Sequence, residues 1–293
     1  MTVGFIGLGI MGEAMCYNII KKHNGPVFIF DINENQMDTV AGYGGIPCTN
    51  VAKVGAKSDV IISIVPRSEH SLDVYTQICD VADDTKICID MSTIDPGISL
   101  KIRDMLAEQG CAFLDAPVVK SQEAAWLGDV GIYVGGPREI YEQVKPILRY
   151  MGRSIIHMGD NGKGLIMKIC HNALVAQIQN GVNETLALAR ENGIDLDKYS
   201  AAISYGVGQN YYYDSKQIAL MNQDYTTQFS VENMAKDLEI CRRLIDSEGI
   251  SMPGLEVSRA IYKEALARKM DPLDYCSTLE ITMSQIKTNS SSV

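Results

Sequence analysis

Short apolar runs recur along the first half of the chain, separated by longer segments whose apolar residues return every three to four positions. The runs are Val3-Gly4-Phe5-Ile6, Val27-Phe28-Ile29-Phe30, Val60-Ile61-Ile62-Ser63, Ile87-Cys88-Ile89-Asp90, Ala112-Phe113-Leu114-Asp115, Ile132-Tyr133-Val134 and Ile155-Ile156-His157. Each is too short for a helix and apolar enough for a strand buried on both faces. Amphipathic segments such as 13–22, 98–109 and 137–151 lie between some of them. Strands alternating with helices predict the α/β class, with a doubly wound and mostly parallel sheet.

The pattern changes near Gly159. A proline-free helical stretch over 163–192 is closed by Gly193, and 197–205, 231–247, 253–269 and 272–283 also read as helix. Strand candidates stop there. The expected organisation is a nucleotide-binding domain over 1–162 and an all-helical domain over 163–293 that opens with a long interdomain helix. The serine-rich tail, 288–293, is expected to fray.

The first strand runs directly into Gly7-Leu8-Gly9-Ile10-Met11-Gly12, and a helix-prone segment follows. In that arrangement Gly7 permits the turn, Gly9 lets backbone approach a pyrophosphate, and Gly12 lets helix and strand pack closely. The helix N-terminus adds free N–H groups and the positive end of its dipole. The second apolar run ends at Asp31, about 20 residues beyond the last glycine, where a carboxylate binds ribose hydroxyls. This is a Rossmann-type dinucleotide fingerprint. A carboxylate at Asp31 repels a 2′-phosphate, and no arginine follows in Ile32-Asn33-Glu34-Asn35, so NAD is expected over NADP. Ligands in such sheets bind beyond the carboxyl ends of the strands. Val65-Pro66 and Ser92-Thr93 follow two of those ends and are placed to line that edge, although ordinary loop roles fit them equally well.

Composition narrows the function class. The chain has 293 residues, 46% hydrophobic and 21% charged, enough for two ordinary domains with real cores. A formal net charge of −10 argues against nucleic acid as the main partner. The eight cysteines include no Cys-x-x-Cys pair and lie mostly in apolar segments, which favours reduced core thiols over disulfides or a metal site. No signal peptide or membrane span is evident, and a cytoplasmic location is expected.

Near the expected domain boundary stands Gly159-x-x-Gly162-x-Gly164-x-x-x-Lys168-x-x-x-Asn172. Lys168 and Asn172 are one helical turn apart and share a face, among Leu165, Ile166, Met167, Ile169 and Cys170. Burial disfavours an ammonium, so a lysine there is either snorkelling at a junction or functional.

Taken together, these stretches resemble the β-hydroxyacid dehydrogenase family, which includes 3-hydroxyisobutyrate dehydrogenase. The resemblance also rests on Asp90-Met91-Ser92-Thr93-Ile94, Asp115-Ala116-Pro117-Val118 and Lys236-Asp237-Leu238, in order along most of the chain. It implies a catalytic role for Lys168, substrate binding by Asn172, and cofactor contacts from Ile10, Met11, Asp31, Val65, Thr93 and Lys236. It also implies a homodimer or homotetramer. In the oxidising direction a neutral amine at Lys168 would take the hydroxyl proton, and in reduction its ammonium would return it. His171 has two readings, a hydrogen bond to substrate or helix packing. The Tyr211-Tyr212-Tyr213 cluster is expected to pack the helical domain or a subunit interface.

One departure from the family pattern bears on substrate. Where relatives carry Ser-Gly-Gly after Asp115-Ala116-Pro117-Val118, this chain carries Val119-Lys120-Ser121-Gln122. The change is similar to that of the sulfolactaldehyde reductase branch, where Gly-Arg-Thr-Ser stands there. Lys120, Ser121 and Gln122 are therefore candidate substrate contacts, and the favoured substrate is small, with a strongly anionic tail such as a sulfonate. An exposed loop lysine is the competing reading. Succinic or tartronate semialdehyde reduction and a non-catalytic dinucleotide-binding module are the functional alternatives. An imine reductase on a related scaffold would be expected to replace Lys168.

Overall fold

The computed structural model describes residues 1–290, with side chains to residue 285. Residues 291–293 of the serine-rich tail lie outside the described residues. The chain forms two compact units, Met1–Lys168 and Ile169–Val293.

The first unit alternates strand and helix: β1 (Val3–Ile6), α1 (Ile10–Lys22), β2 (Val27–Phe30), α2 (Glu34–Gly42), β3 (Ile46–Pro47), α3 (Val51–Lys57), β4 (Val60–Ser63) and α4 (Ser68–Cys79). It continues with β5 (Ile87–Asp90), α5 (Pro96–Ala107), β6 (Ala112–Asp115), β7 (Val118–Val119), α6 (Gln122–Trp126), β8 (Val130–Gly135), α7 (Arg138–Met151) and β9 (Gly152–Gly159). The strands lie in the order β3-β2-β1-β4-β5-β6-β8-β7, with β9 paired to β8. All pairs from β3 to β6 are parallel, as is β8 with β9; only β8 meets β6 and β7 antiparallel.

Each face of the sheet is covered, which is why the central strands read as continuous apolar runs. Val60, Ile62, Ile87 and Ile89 enter one apolar cluster, with Phe5 and Met15. Ile61 and Cys88 point into the other, with Ile78, Ile102 and Phe113. Of the eight cysteines six are buried; Cys170 is exposed and Cys79 half-buried, so the expectation of core thiols fails at those two. All eight are free.

The connecting helices α2 and α3 start where Asn33 and Asn50 accept hydrogen bonds from the N–H groups of Asn35 and Lys53. α5 starts where Asp95 caps Gly97 and Pro96 takes the first turn. The strand order reverses direction between β1 and β4, so the carboxyl ends of β1, β2, β4, β5 and β6 form one edge beside that switch point.

The second unit is helical. α8 (Lys163–Glu191) begins in the first unit and continues into the second, followed by α9 (Leu196–Ile203), α10 (Tyr211–Asn222), α11 (Val231–Glu248), α12 (Pro253–Ala267) and α13 (Leu279–Ser290). The division falls inside α8, six residues beyond the expected boundary of 162/163. The reason is packing. Leu165 belongs to the sheet cluster with Ile61 and Phe113, whereas Ile169, Ala173 and Ala176 pack with Leu238, Cys241 and Tyr262.

The helix expected over 272–283 also differs. Asp274 accepts hydrogen bonds from the Cys276 N–H at 3.1 Å and from the buried Lys216 ammonium at 3.0 Å. Its cap starts a short 3-10 turn, Tyr275–Thr278, and α13 follows. Tyr212 and Tyr213 are buried in the second unit with Tyr199, while Tyr211 is exposed. No helix of the described residues is long and apolar enough to cross a membrane.

Candidate functional site

The glycine turn joins β1 to α1 at the switch point. Gly7 has φ +90°, and a Cβ there would lie 2.2 Å from the Ile64 carbonyl oxygen. A Cβ on Gly12 would lie 2.0 Å from the Gly7 carbonyl oxygen, so the third glycine lets α1 close on the turn. Gly9 is the N-cap of α1 and has no side-chain cap. Apart from Gly9 itself and its two chain neighbours, no atom of the described residues lies within 4 Å of where its Cβ would be. Open space at an uncapped helix N-terminus is what a phosphate group requires. Ile10 is exposed and Met11 half-buried in the first turn beyond it.

Asp31 stands at the end of β2. Its Oδ2 accepts from the Leu8 N–H at 2.6 Å and its Oδ1 from the Asn33 N–H at 2.8 Å. These bonds fix the carboxylate against the glycine turn. A carboxylate has about four acceptor sites, so capacity for ribose hydroxyls remains. The residues present therefore fit a dinucleotide: a sterically required turn, an open helix end and a fixed acid beside them.

Along the same edge, the turns after β4 and β5 are tied together. The Val65 N–H donates to Ser92 Oγ at 2.8 Å, and the Ser92 N–H donates to Asp90 Oδ1 at 3.0 Å. Ser63 Oγ donates to the same Asp90 oxygen at 3.0 Å and lies 2.7 Å from the Tyr75 hydroxyl. Asp90 is fully buried, and burial pushes its carboxyl above the ordinary carboxylate value against the pull of the serines. Val65 and Thr93 are half-buried and Pro66 is exposed on these two turns. Asp90 opens one of the stretches that carry the resemblance, but its partners, up to 27 residues away, were not visible in the sequence.

Lys168 is buried in α8, 8% exposed. Asn172 follows four residues later, and its Nδ2 donates to Asp237 Oδ2 at 2.5 Å. Asp237 Oδ1 in turn lies 3.3 Å from the Lys236 ammonium. Lys236 and Asp237 are thus part of a chain in the second unit: Asp237 is 1% exposed and bridges Asn172 to Lys236. His171 is half-buried on α8.

The loop that departs from the family pattern is engaged within the protein. Lys120 Nζ lies 2.8 Å from Asp129 Oδ2 and holds that carboxyl below its ordinary value. Its backbone has φ +86°, a conformation that glycine adopts without cost, which accounts for the glycine expected there. Ser121 caps α6 by accepting from the Ala124 N–H at 3.3 Å, and Gln122 is the first residue of that helix. Among the described residues, no group of three or more His, Cys, Asp or Glu is placed to hold a metal ion.

Comparison with known proteins extends over nearly the whole chain. Residues 2–159 match the family model described as the NAD binding domain of 6-phosphogluconate dehydrogenase. Residues 162–282 match the model described as NAD-binding of NADP-dependent 3-hydroxyisobutyrate dehydrogenase. The chain is similar to 2-(hydroxymethyl)glutarate dehydrogenase of Eubacterium barkeri, 27% identical over 96% of this chain and 94% of the relative. It is also similar to glyoxylate/succinic semialdehyde reductase 1 of Arabidopsis thaliana, 28% identical over 96% of this chain and 98% of the relative. Among solved structures, 3-hydroxyisobutyrate dehydrogenase of Mycobacterium tuberculosis with L-serine superposes with a TM-score of 0.89 at 25% identity, covering 96% of this chain and 98% of that one.

Proposed function

Because the chain belongs to the β-hydroxyacid dehydrogenase family, we propose that it interconverts a small β-hydroxyacid and its semialdehyde, with Lys168 moving the hydroxyl proton. The bound nicotinamide dinucleotide supplies or accepts the hydride. Lys168 then has one task at one atom: it takes the proton from the substrate oxygen in oxidation and returns it in reduction. Asn172 orients the same oxygen or the neighbouring carboxylate through its amide, itself held by the buried Asp237. The observation that carries the reading is the pairing of an open, uncapped α1 N-terminus beside Asp31 with a buried lysine on the glycine-led helix.

The relatives' names supply the candidate chemistry: succinic semialdehyde for one, a branched hydroxyacid for another. A screen of NADH oxidation across semialdehydes with carboxylate, sulfonate and phosphate tails tests the proposal. Turnover with at least one of them is expected, and none with any would leave only a dinucleotide-binding module.

Asp31 sets the cofactor preference. Its carboxylate accepts ribose hydroxyls and repels a 2′-phosphate, so kcat/KM with NADH should exceed that with NADPH at least about tenfold. Equal values for the two would overturn the assignment.

Within the same reading, the favoured substrate carries a strongly anionic tail, such as sulfolactaldehyde, bound by Lys120 with Ser121 and Gln122. The feature that supports this is a lysine and a serine where small residues are the family pattern. Binding requires the Lys120 ammonium to exchange Asp129 for the substrate anion. Both side chains of that pair are 34% exposed, and solvent screens such surface pairs strongly, so the exchange costs little. Lys120→Ala should then raise KM for a sulfonate-tailed aldehyde about tenfold or more and leave kcat alone. An unchanged KM would transfer the assignment to a carboxylate-tailed aldehyde such as succinic or tartronate semialdehyde.

A homodimer or homotetramer in the cytoplasm completes the proposal. It is supported by large apolar side chains left exposed in the second unit, among them Leu188, Tyr205, Val207 and Ile218, and by eight free cysteines. Sedimentation velocity at micromolar concentration tests the assembly.

A further inference from the structure

We propose that Asp115, at the end of β6, is a positioning residue that sets where Lys168 stands by capping the helix that carries it. This rests on the reading of Lys168 as the proton-transfer group. Asp115 is fully buried, 53 residues away in sequence from the lysine, and bonds to the start of α8.

The Gly162 N–H donates to Asp115 Oδ1 at 2.6 Å, and the Leu165 N–H donates to Asp115 Oδ2 at 2.9 Å. The first intrahelical bond of α8 runs from the Ile166 N–H to the Gly162 carbonyl at 2.9 Å. Gly162 is therefore the cap position and Leu165 the third residue of the helix. Those are the two N–H groups that a capping box satisfies with two side chains from the helix's own sequence. Gly162 has no side chain and cannot cap itself. A single carboxylate from a strand does both tasks, and its negative charge sits at the positive end of the helix dipole.

The space for it is built by two glycines. A Cβ on Gly135 would lie 2.5 Å from Asp115 Oδ1, and one on Gly164 would lie 2.9 Å from Asp115 Oδ2 and 2.5 Å from the Tyr133 carbonyl oxygen. The glycine run ahead of Lys168 thus has a mechanical purpose: it lets the first turn of α8 seat on the carboxylate and on the backbone of β6 and β8. Lys168 follows Leu165 by three residues, less than one turn. Two short bonds at the helix start fix the axial position and the rotation of the turn that bears the amine.

The test is a double-mutant cycle between Asp115→Asn and Lys168→Ala. An asparagine keeps one acceptor for the two N–H groups and turns an amide towards the other. NADH oxidation is followed with succinic semialdehyde or sulfolactaldehyde, whichever turns over faster, and NADH affinity is read from quenching of Trp126, the single tryptophan. Asp115→Asn should lower kcat roughly 10–10²-fold with little change in NADH affinity, the scale expected of an ångström-level misplacement. In the Lys168→Ala background the same change should cost no further turnover.

Equal losses in both backgrounds, or full kcat in Asp115→Asn, would overturn the positioning role alone. Normal turnover by Lys168→Ala would instead overturn the lysine reading and the positioning role with it. If Asp115→Asn does not fold, Gly164→Ala decides the matter. It keeps the carboxylate but displaces the helix start, so kcat should again fall at retained NADH affinity, and unchanged kcat would overturn the proposal.

Discussion

Lys168→Ala is expected to lower kcat by ~10²–10⁴-fold, the usual worth of general acid–base help, while the protein still binds NADH. The expectation follows from where the amine is. It is 8% exposed on α8, one turn before Asn172, on a helix whose start is tied to the sheet. A purely structural lysine would behave differently. Its removal would lower stability, and methionine, with a similar unbranched stem and no charge, would restore much of the packing. Lys168→Met should therefore recover the melting temperature of Lys168→Ala without recovering turnover. Lys168→Arg should also stay low in alcohol oxidation, because a guanidinium cannot give up its proton to act as a base. The pH profile gives an independent readout: the limb of kcat/KM that reports deprotonation of the base should vanish in Lys168→Ala. Steady-state kinetics with NADH titration settles the matter, and turnover within a few-fold of wild type would remove Lys168 from the mechanism.

How much of this could be read before the structure depended on how local the determining interactions are. The strands of the first unit were legible because strands covered on both faces must be apolar at every position, as in Val60–Ser63 and Ile87–Asp90. Helices α2 and α3 were less so, being short, with few buried positions to impose a period, and defined mainly by asparagine caps. The glycine turn and Asp31 were legible because their determinants are local: Gly7 and Gly12 are forced by a backbone atom one strand or a few residues away, and Gly9 stands open between them. Three buried acids were legible as members of the family motifs, but their partners were not. Asp90, Asp115 and Asp237 act through partners 27, 47 and 65 residues distant, and only the three-dimensional pairing of strands and helices brings those partners in. The same holds for Lys120. Its sequence context announced a loop cation but could not show Asp129 beside it.

The second and third glycines of the fingerprint should fail in opposite ways when changed to alanine. Gly9 has open space where a Cβ would go, so Gly9→Ala should leave the melting temperature unchanged. The added methyl would occupy room that the pyrophosphate needs at the end of α1, and the Kd for NADH should rise at least tenfold. Gly12 has no such room. Its Cβ would meet the Gly7 carbonyl oxygen at 2.0 Å and the Gly7 carbonyl carbon at 2.9 Å, and backbone cannot swing aside as a flexible side chain does. Forcing α1 away from the turn is overpacking, which costs about 1–3 kcal/mol, or roughly 2–10 °C in melting temperature for a domain of this size. Gly12→Ala should thus lose stability in the apo protein, and NADH affinity should fall because the turn itself has moved. Thermal unfolding without cofactor, paired with NADH titration, separates the two cases. If both variants unfold early, Gly9 is a structural glycine and its open face is not the phosphate site; if both stay stable and bind NADH, the dinucleotide lies elsewhere on the sheet edge.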